Sequence, residues 1–143
     1  MEVDVNYWAV LLAAASSMVV GSMWYLPNVF GNAWAKMAKV DLKRMGKGTP
    51  GEMAWLYISV FAASVLTAYI LAHVTFLAHS FFGNSWTSSA LSTAFWLWLG
   101  LTGARLYVHD AFEGRRKKLT FINAMHELVT VLVMALIIGW LHP

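Results

Sequence analysis

The sequence predicts an all-α protein: a four-helix transmembrane bundle with a short amphipathic interfacial helix between helices one and two. Three observations carry this expectation. The 143-residue chain is 59% apolar and only 12% charged, where an average soluble domain is about 25% charged. Half the usual charge does not cover the surface of so small a water-soluble globule, and this apolar content excludes intrinsic disorder. The charges are also segregated. Residues 5–35 and 53–104 hold no Asp, Glu, Lys or Arg, and residues 119–141 hold only Glu127. Finally, the chain carries eight Trp, five Tyr and eight Phe, and Trp and Tyr favour the boundary between membrane and water.

A spanning helix needs about 20 mostly apolar residues. The first candidate is 5–26, closed by Pro27, which cannot extend the helical ladder. It does not read as a secretory signal, because Glu2 and Asp4 stand where such a segment is basic. Over 30–46 the pattern becomes amphipathic. Phe30, Trp34, Met37, Ala38 and Met45 share one face; Lys36, Lys39, Lys43 and Lys47 share the opposite one, and Asp41 intrudes on the apolar side. This is the pattern of a helix lying in the membrane surface, its lysines turned to anionic lipid headgroups. Gly46-Lys47-Gly48-Thr49-Pro50-Gly51 then breaks it.

The uncharged stretch 53–104 would make a helix of about 78 Å, against a hydrocarbon core of about 30 Å. It must fold back once, and Phe81-Phe82-Gly83-Asn84-Ser85 supplies the turn. Two spans result, 54–79 and 87–108. The last span is 120–141, and the whole chain, 1–143, forms a single transmembrane domain.

The basic residues set the orientation. Lys36, Lys39, Lys43, Arg44 and Lys47 lie between spans one and two; Arg105, Arg115, Arg116, Lys117 and Lys118 lie at or beyond the end of span three. These are all ten basic residues, and they fall on one side. The positive-inside bias makes both connections cytoplasmic and both termini external, in a cytoplasmic (inner) membrane. Topology thus accounts for the net charge of +3 without a nucleic-acid partner.

Small residues mark where helices approach closely. Ala13, Ser17 and Gly21 recur at steps of four on helix one; Ala68 and Ala72 do so on helix two, and Gly100, Gly103 and Ala104 cluster on helix three. Packing within the bundle explains them most simply, with a homo-oligomer face on helix one as the alternative. Phe30-Gly31-Asn32-Ala33-Trp34 and Phe82-Gly83-Asn84-Ser85-Trp86 differ at one position. An inverted repeat would place such an echo on opposite sides of the membrane. The flanking residues do not match, so convergence on a helix-ending Gly-Asn is preferred.

Ionisable groups within a span are costly and need partners. Arg105, His109, Asp110, Asn123, His126 and Glu127 form a candidate intramembrane polar cluster at the basic end of the last two helices. In one reading Glu127 pairs with Arg105 and locks helix three to helix four. In the other, Glu127 with His126 or His109 binds a cation or relays a proton. A metal site is not expected: adjacent His126 and Glu127 point about 100° apart, and no His-x-x-x-His or Glu-x-x-His pair occurs. His73 is expected to bond Ser92 or Thr93, and His79 to sit at the interface. With no cysteine, no phosphate loop and no Ser-His-Asp set at one depth, neither a catalytic residue nor a cofactor is expected.

At the end of helix one stands Gly21-Ser22-Met23-Trp24-Tyr25-Leu26-Pro27, then Phe30-Gly31-Asn32-Ala33-Trp34. This resembles the opening signature of the family called domain of unknown function 1761, Gly-x-x-Trp-Tyr-x-Pro followed by Phe-Gly-x-x-Trp. Phe112-Glu113-Gly114-Arg115 and Asn123-x-x-His126 look like the family's second half. The resemblance spans the chain and implies a small multi-pass membrane protein without implying an activity. Physically, Gly21, Trp24, Tyr25, Pro27, Phe30, Gly31 and Trp34 read as an interfacial motif: rings at the boundary, Pro27 turning the chain and Gly31 permitting the bend. The expected function is a non-catalytic accessory or scaffold protein. The alternative is a small oligomeric transporter or channel using Arg105, His126 and Glu127.

Overall fold

The computed structural model describes residues 3–41 and 47–143. They form an all-α bundle without strands. The helices are α1 (Tyr7–Trp24), α2 (Asn32–Ala38), α3 (Pro50–Phe82), α4 (Trp86–Leu97), α5 (Ala104–Phe112) and α6 (Lys117–Trp140). π-helical turns at Pro27–Gly31 and Trp98–Gly103 precede α2 and join α4 to α5.

Local chemistry explains most boundaries. Asn6 caps α1 by accepting from the Trp8 and Ala9 amides at 3.0 and 3.2 Å. Its own amide donates to the Leu141 carbonyl at 2.8 Å, tying the start of α1 to the end of α6. α3 begins earlier than the apolar stretch predicts. Thr49 and Glu52 form a reciprocal capping box, and Pro50 occupies the first turn, where its missing N–H costs nothing. α3 ends at Gly83, whose φ of +67° closes the helix in the left-handed region. Ser85 then caps α4, accepting from the Ser88 amide at 3.3 Å.

The expected third helix is one unbroken run from Trp86 to Phe112, but it is not uniform. Within it the Ala104 amide reaches back five residues to the Leu99 carbonyl. Such a π turn inserts a residue, which rotates everything beyond it by about 100°. The expected interfacial helix over 30–46 is also shorter than its pattern. It stops at Ala38 because Lys39 turns left-handed, with φ +57°. Residues 42–46 of that expectation, Lys43, Arg44 and Met45 among them, lie outside the described residues.

The core is built largely of alanine. Ala13, Ala14, Ala68, Ala90, Ala94 and Ala135 are buried around Met134, Leu71 and Ile138. Small side chains let backbones approach, with α6 between α1 and α4. At Gly139 an added Cβ would stand 2.7 Å from Thr87 Cα, so α4 and α6 nearly touch there. Ser17 donates to Ser64 at 2.9 Å, joining α1 to α3. The stripe on helix one is thus spent inside the bundle. Gly100 and Ala104, by contrast, are exposed and do not join the packing.

The start of α1, the end of α6 and the 83–85 turn gather at one end, where Trp86 stacks between His79 and His142 at 3.8 and 5.2 Å. Lys36, Lys39 and residues 115–118 lie at the other. The exterior between them is strongly apolar: Trp55, Leu101, Phe121 and Trp140 are among many large exposed side chains. α1, α3 and α6 are each long and apolar enough to cross a membrane.

Candidate functional site

The site is assembled where α1 ends. Pro27 opens a π turn in which the Gly31 amide donates to the Leu26 carbonyl at 3.0 Å. The chain doubles back so tightly that a Cβ on Gly31 would collide with the Tyr25 carbonyl oxygen. Only glycine fits, and its job here is close backbone approach. Gly83, in the similar Phe-Gly-Asn stretch, serves instead through its positive φ and has open space around it. The two stretches therefore share residues without sharing a conformation.

This reversal lays α2 across the start of α6. Trp34 donates from Nε1 to Asn123 Oδ1 at 3.1 Å. The Tyr25 hydroxyl reaches the same oxygen at 3.5 Å, and its ring packs edge-on against Trp34 at 5.2 Å. One turn along α6, His126 lies beside the rings of Tyr25 and Trp24, at 5.1 and 6.0 Å, while Trp24 also packs on Phe30 at 4.6 Å. Gly21 faces the imidazole, and a Cβ there would be in ordinary contact with His126 Nε2 at 3.5 Å. The aromatic motif at residues 21–34 and the Asn123-x-x-His126 pair, nearly ninety residues later, thus make one site.

His126 Nδ1 is 3.3 Å from Glu127 Oε1, a contact that the expected 100° separation does not anticipate. The imidazole swings toward the half-exposed carboxylate. His126 Nε2 and Trp24 Nε1 are both buried without a hydrogen-bond partner among the described residues. The imidazole thus has one nitrogen on a carboxylate and the other enclosed by rings.

The candidate cluster of six does not come together as a unit. Asn123, His126 and Glu127 join the aromatic site. Asp110 is buried elsewhere, accepting from Thr120 Oγ1 at 2.7 Å, with Arg115 Nε 3.7 Å away. Arg105 and His109 are exposed, and no ion pair joins Arg105 to Glu127 among the described residues. The π turn explains the difference, because it rotates α5 away from the face that an uninterrupted helix would present. The residue filling that space is Trp98, whose Nε1 donates to the Ala124 carbonyl at 2.9 Å. Neither Trp98 nor the Asp110–Thr120 bond is legible from spacing alone. His73 bonds the Tyr69 carbonyl of its own helix at 3.1 Å, in place of Ser92 or Thr93. No group of three or more potential metal ligands converges among the described residues.

The fold and site define a class: a small all-helical bundle with apolar helices of membrane-crossing length, clasped at its basic end by an aromatic motif. The chain belongs to the family described as protein of unknown function (DUF1761), whose model matches residues 8–139. No curated protein and no solved structure matches it.

Proposed function

We propose that this is a four-crossing integral protein of the cytoplasmic membrane that acts without catalysis, as an accessory or scaffold. α1, α3, the run 86–112 and α6 are its spans. Both termini are external, and the two basic connections are cytoplasmic, where positive residues are retained. The observation that carries the scaffold reading is the Trp34–Asn123 bond. It closes the aromatic site with the chain's own side chains, as a structural clasp requires. The apolar exterior supports a lipid environment, since soluble monomers rarely expose contiguous apolar patches beyond a few hundred Å². Exposed Lys36 and Lys39 on and just after α2 support contact with anionic headgroups.

The absence of cysteine makes single-cysteine mapping clean. In intact cells a membrane-impermeant maleimide should label Ser85→Cys and His142→Cys and spare Lys47→Cys and Arg116→Cys. The reverse pattern would overturn the orientation. Native mass spectrometry from mild detergent tests the role: a bare monomer fits an accessory protein that awaits a partner.

One observation favours a second reading, a small oligomeric transporter. His126 Nδ1 meets the half-exposed Glu127 carboxylate at 3.3 Å, a contact between two groups that can each carry a proton. Arg105 stands outside it. This version requires a defined oligomer and proton flux in liposomes that His126→Gln abolishes.

A further inference from the structure

A cleft of about 430 Å³ opens between α5 and α6 on the outer face of the bundle. Its floor and walls are apolar: Gly103, Tyr107 and Ala111 come from the 86–112 run, Phe121 and Ala124 from α6. Behind two of these lining residues stands the Trp98 indole, which packs 3.3 Å from the Cβ position of Gly103 and donates to the Ala124 carbonyl. Its mouth is basic, formed by Arg115 and Lys117, with exposed Arg116 and Lys118 alongside. From Lys117 to Ala124 the helix rises about 10 Å.

Resting on the membrane reading above, we propose that this cleft binds one anionic phospholipid. Its phosphate sits between Arg115 and Lys117, and one acyl chain runs down the groove toward Trp98. The charge pattern selects that occupant. A lipid places its charge only at the mouth, where Arg115 and Lys117 stand, and hydrocarbon below, where the lining is apolar. The acidic residues nearby are already engaged. Asp110 is 3% exposed, accepts from Thr120 and lies 3.7 Å from Arg115 Nε; Glu113 binds Arg115 through the same Nε, and with both carboxylates on that one nitrogen the outer nitrogens of the guanidinium are left for a phosphate. Thr120, committed to Asp110, takes no part.

The site is distinct from the lysines beside α2, and the test separates the two. Full-length protein in mild detergent is titrated with phosphatidylglycerol or phosphatidylcholine and read by native mass spectrometry. The expected result is one retained phosphatidylglycerol per chain, with phosphatidylcholine washed away. Lys117→Gln should weaken retention about fivefold, the worth of one basic side chain at an anionic surface. Ala111→Leu, at an exposed position that tolerates the added volume, should block it. Lys36→Gln with Lys39→Gln should leave it unchanged. Equal retention of the two lipids, or retention indifferent to both cleft variants, would overturn the proposal while the membrane reading stands. A protein that stays monodisperse without detergent and retains no lipid would overturn both.

Discussion

Trp34 and Asn123 are joined by a 3.1 Å hydrogen bond that ties α2 to the second turn of α6. Tyr25 converges on the same Asn123 oxygen at 3.5 Å. A single amide thus anchors α2 to the helix at the centre of the bundle. Asn123→Ala should lower stability by about 1 kcal/mol, the net worth of one such bond. Trp34→Phe should cost a similar amount, and the double variant should cost less than their sum. Thermal unfolding in detergent reads the cycle; strict additivity would mean the bond does not hold α2 in place.

Gly31 and Gly83 test two different demands on glycine. Gly31→Ala forces a Cβ against the Tyr25 carbonyl oxygen and should cost about 2–3 kcal/mol, as overpacking does. Gly83→Ala meets only the left-handed φ of +67°, for about 1 kcal/mol. Gly83→Asn should be milder still, since asparagine tolerates that region. Equal losses at Gly31 and Gly83 would contradict the tight reversal at Pro27–Gly31.

Gly139 and Gly100 offer a sharper contrast. A Cβ on Gly139 collides with Thr87 backbone, while one on Gly100 meets nothing within 4 Å. Gly139→Ala should therefore separate α4 from α6 and lower the melting temperature clearly. Gly100→Ala should be neutral or stabilise by up to about 1 kcal/mol through the unfolded chain. Comparable melting temperatures for the two variants would refute the close α4–α6 approach.

Glu127 is expected to be independent of Arg105. Its carboxylate faces His126 at 3.3 Å and is 47% exposed. Glu127→Ala should have the same effect on stability in the wild-type and Arg105→Ala backgrounds. A coupling of about 1 kcal/mol or more between them would restore the lock between the last two helices.

The architecture was legible because it follows from one-dimensional quantities. Where charge is absent for 20 residues, and where Gly-Asn or Pro interrupts, the solvent-averaged pattern decides the helices. Thus α1, α3 and α6 appear close to their expected places, and the Thr49–Glu52 capping box, encoded within four residues, merely lengthened α3. The aromatic motif was also visible, together with Asn123 and His126, but as two separated stretches.

What brought those stretches together is a three-dimensional event. The π turn over Pro27–Gly31 reverses the chain onto α6, and only then do Trp34 and Tyr25 reach Asn123. A second π turn, at Trp98–Gly103, decided which residues do not meet. Helical-wheel reasoning assumes a constant 100° per residue, and an inserted residue breaks that assumption for everything beyond it. Arg105 and His109 were thereby turned outward, Asp110 was carried to Thr120, and a cleft opened between α5 and α6. Composition and spacing by themselves determined that this chain is a bundle of apolar helices with its basic residues confined to two stretches. Which polar groups face one another was left to the tertiary structure, because hydrogen bonds have short range and depend on a rotation that no linear pattern records.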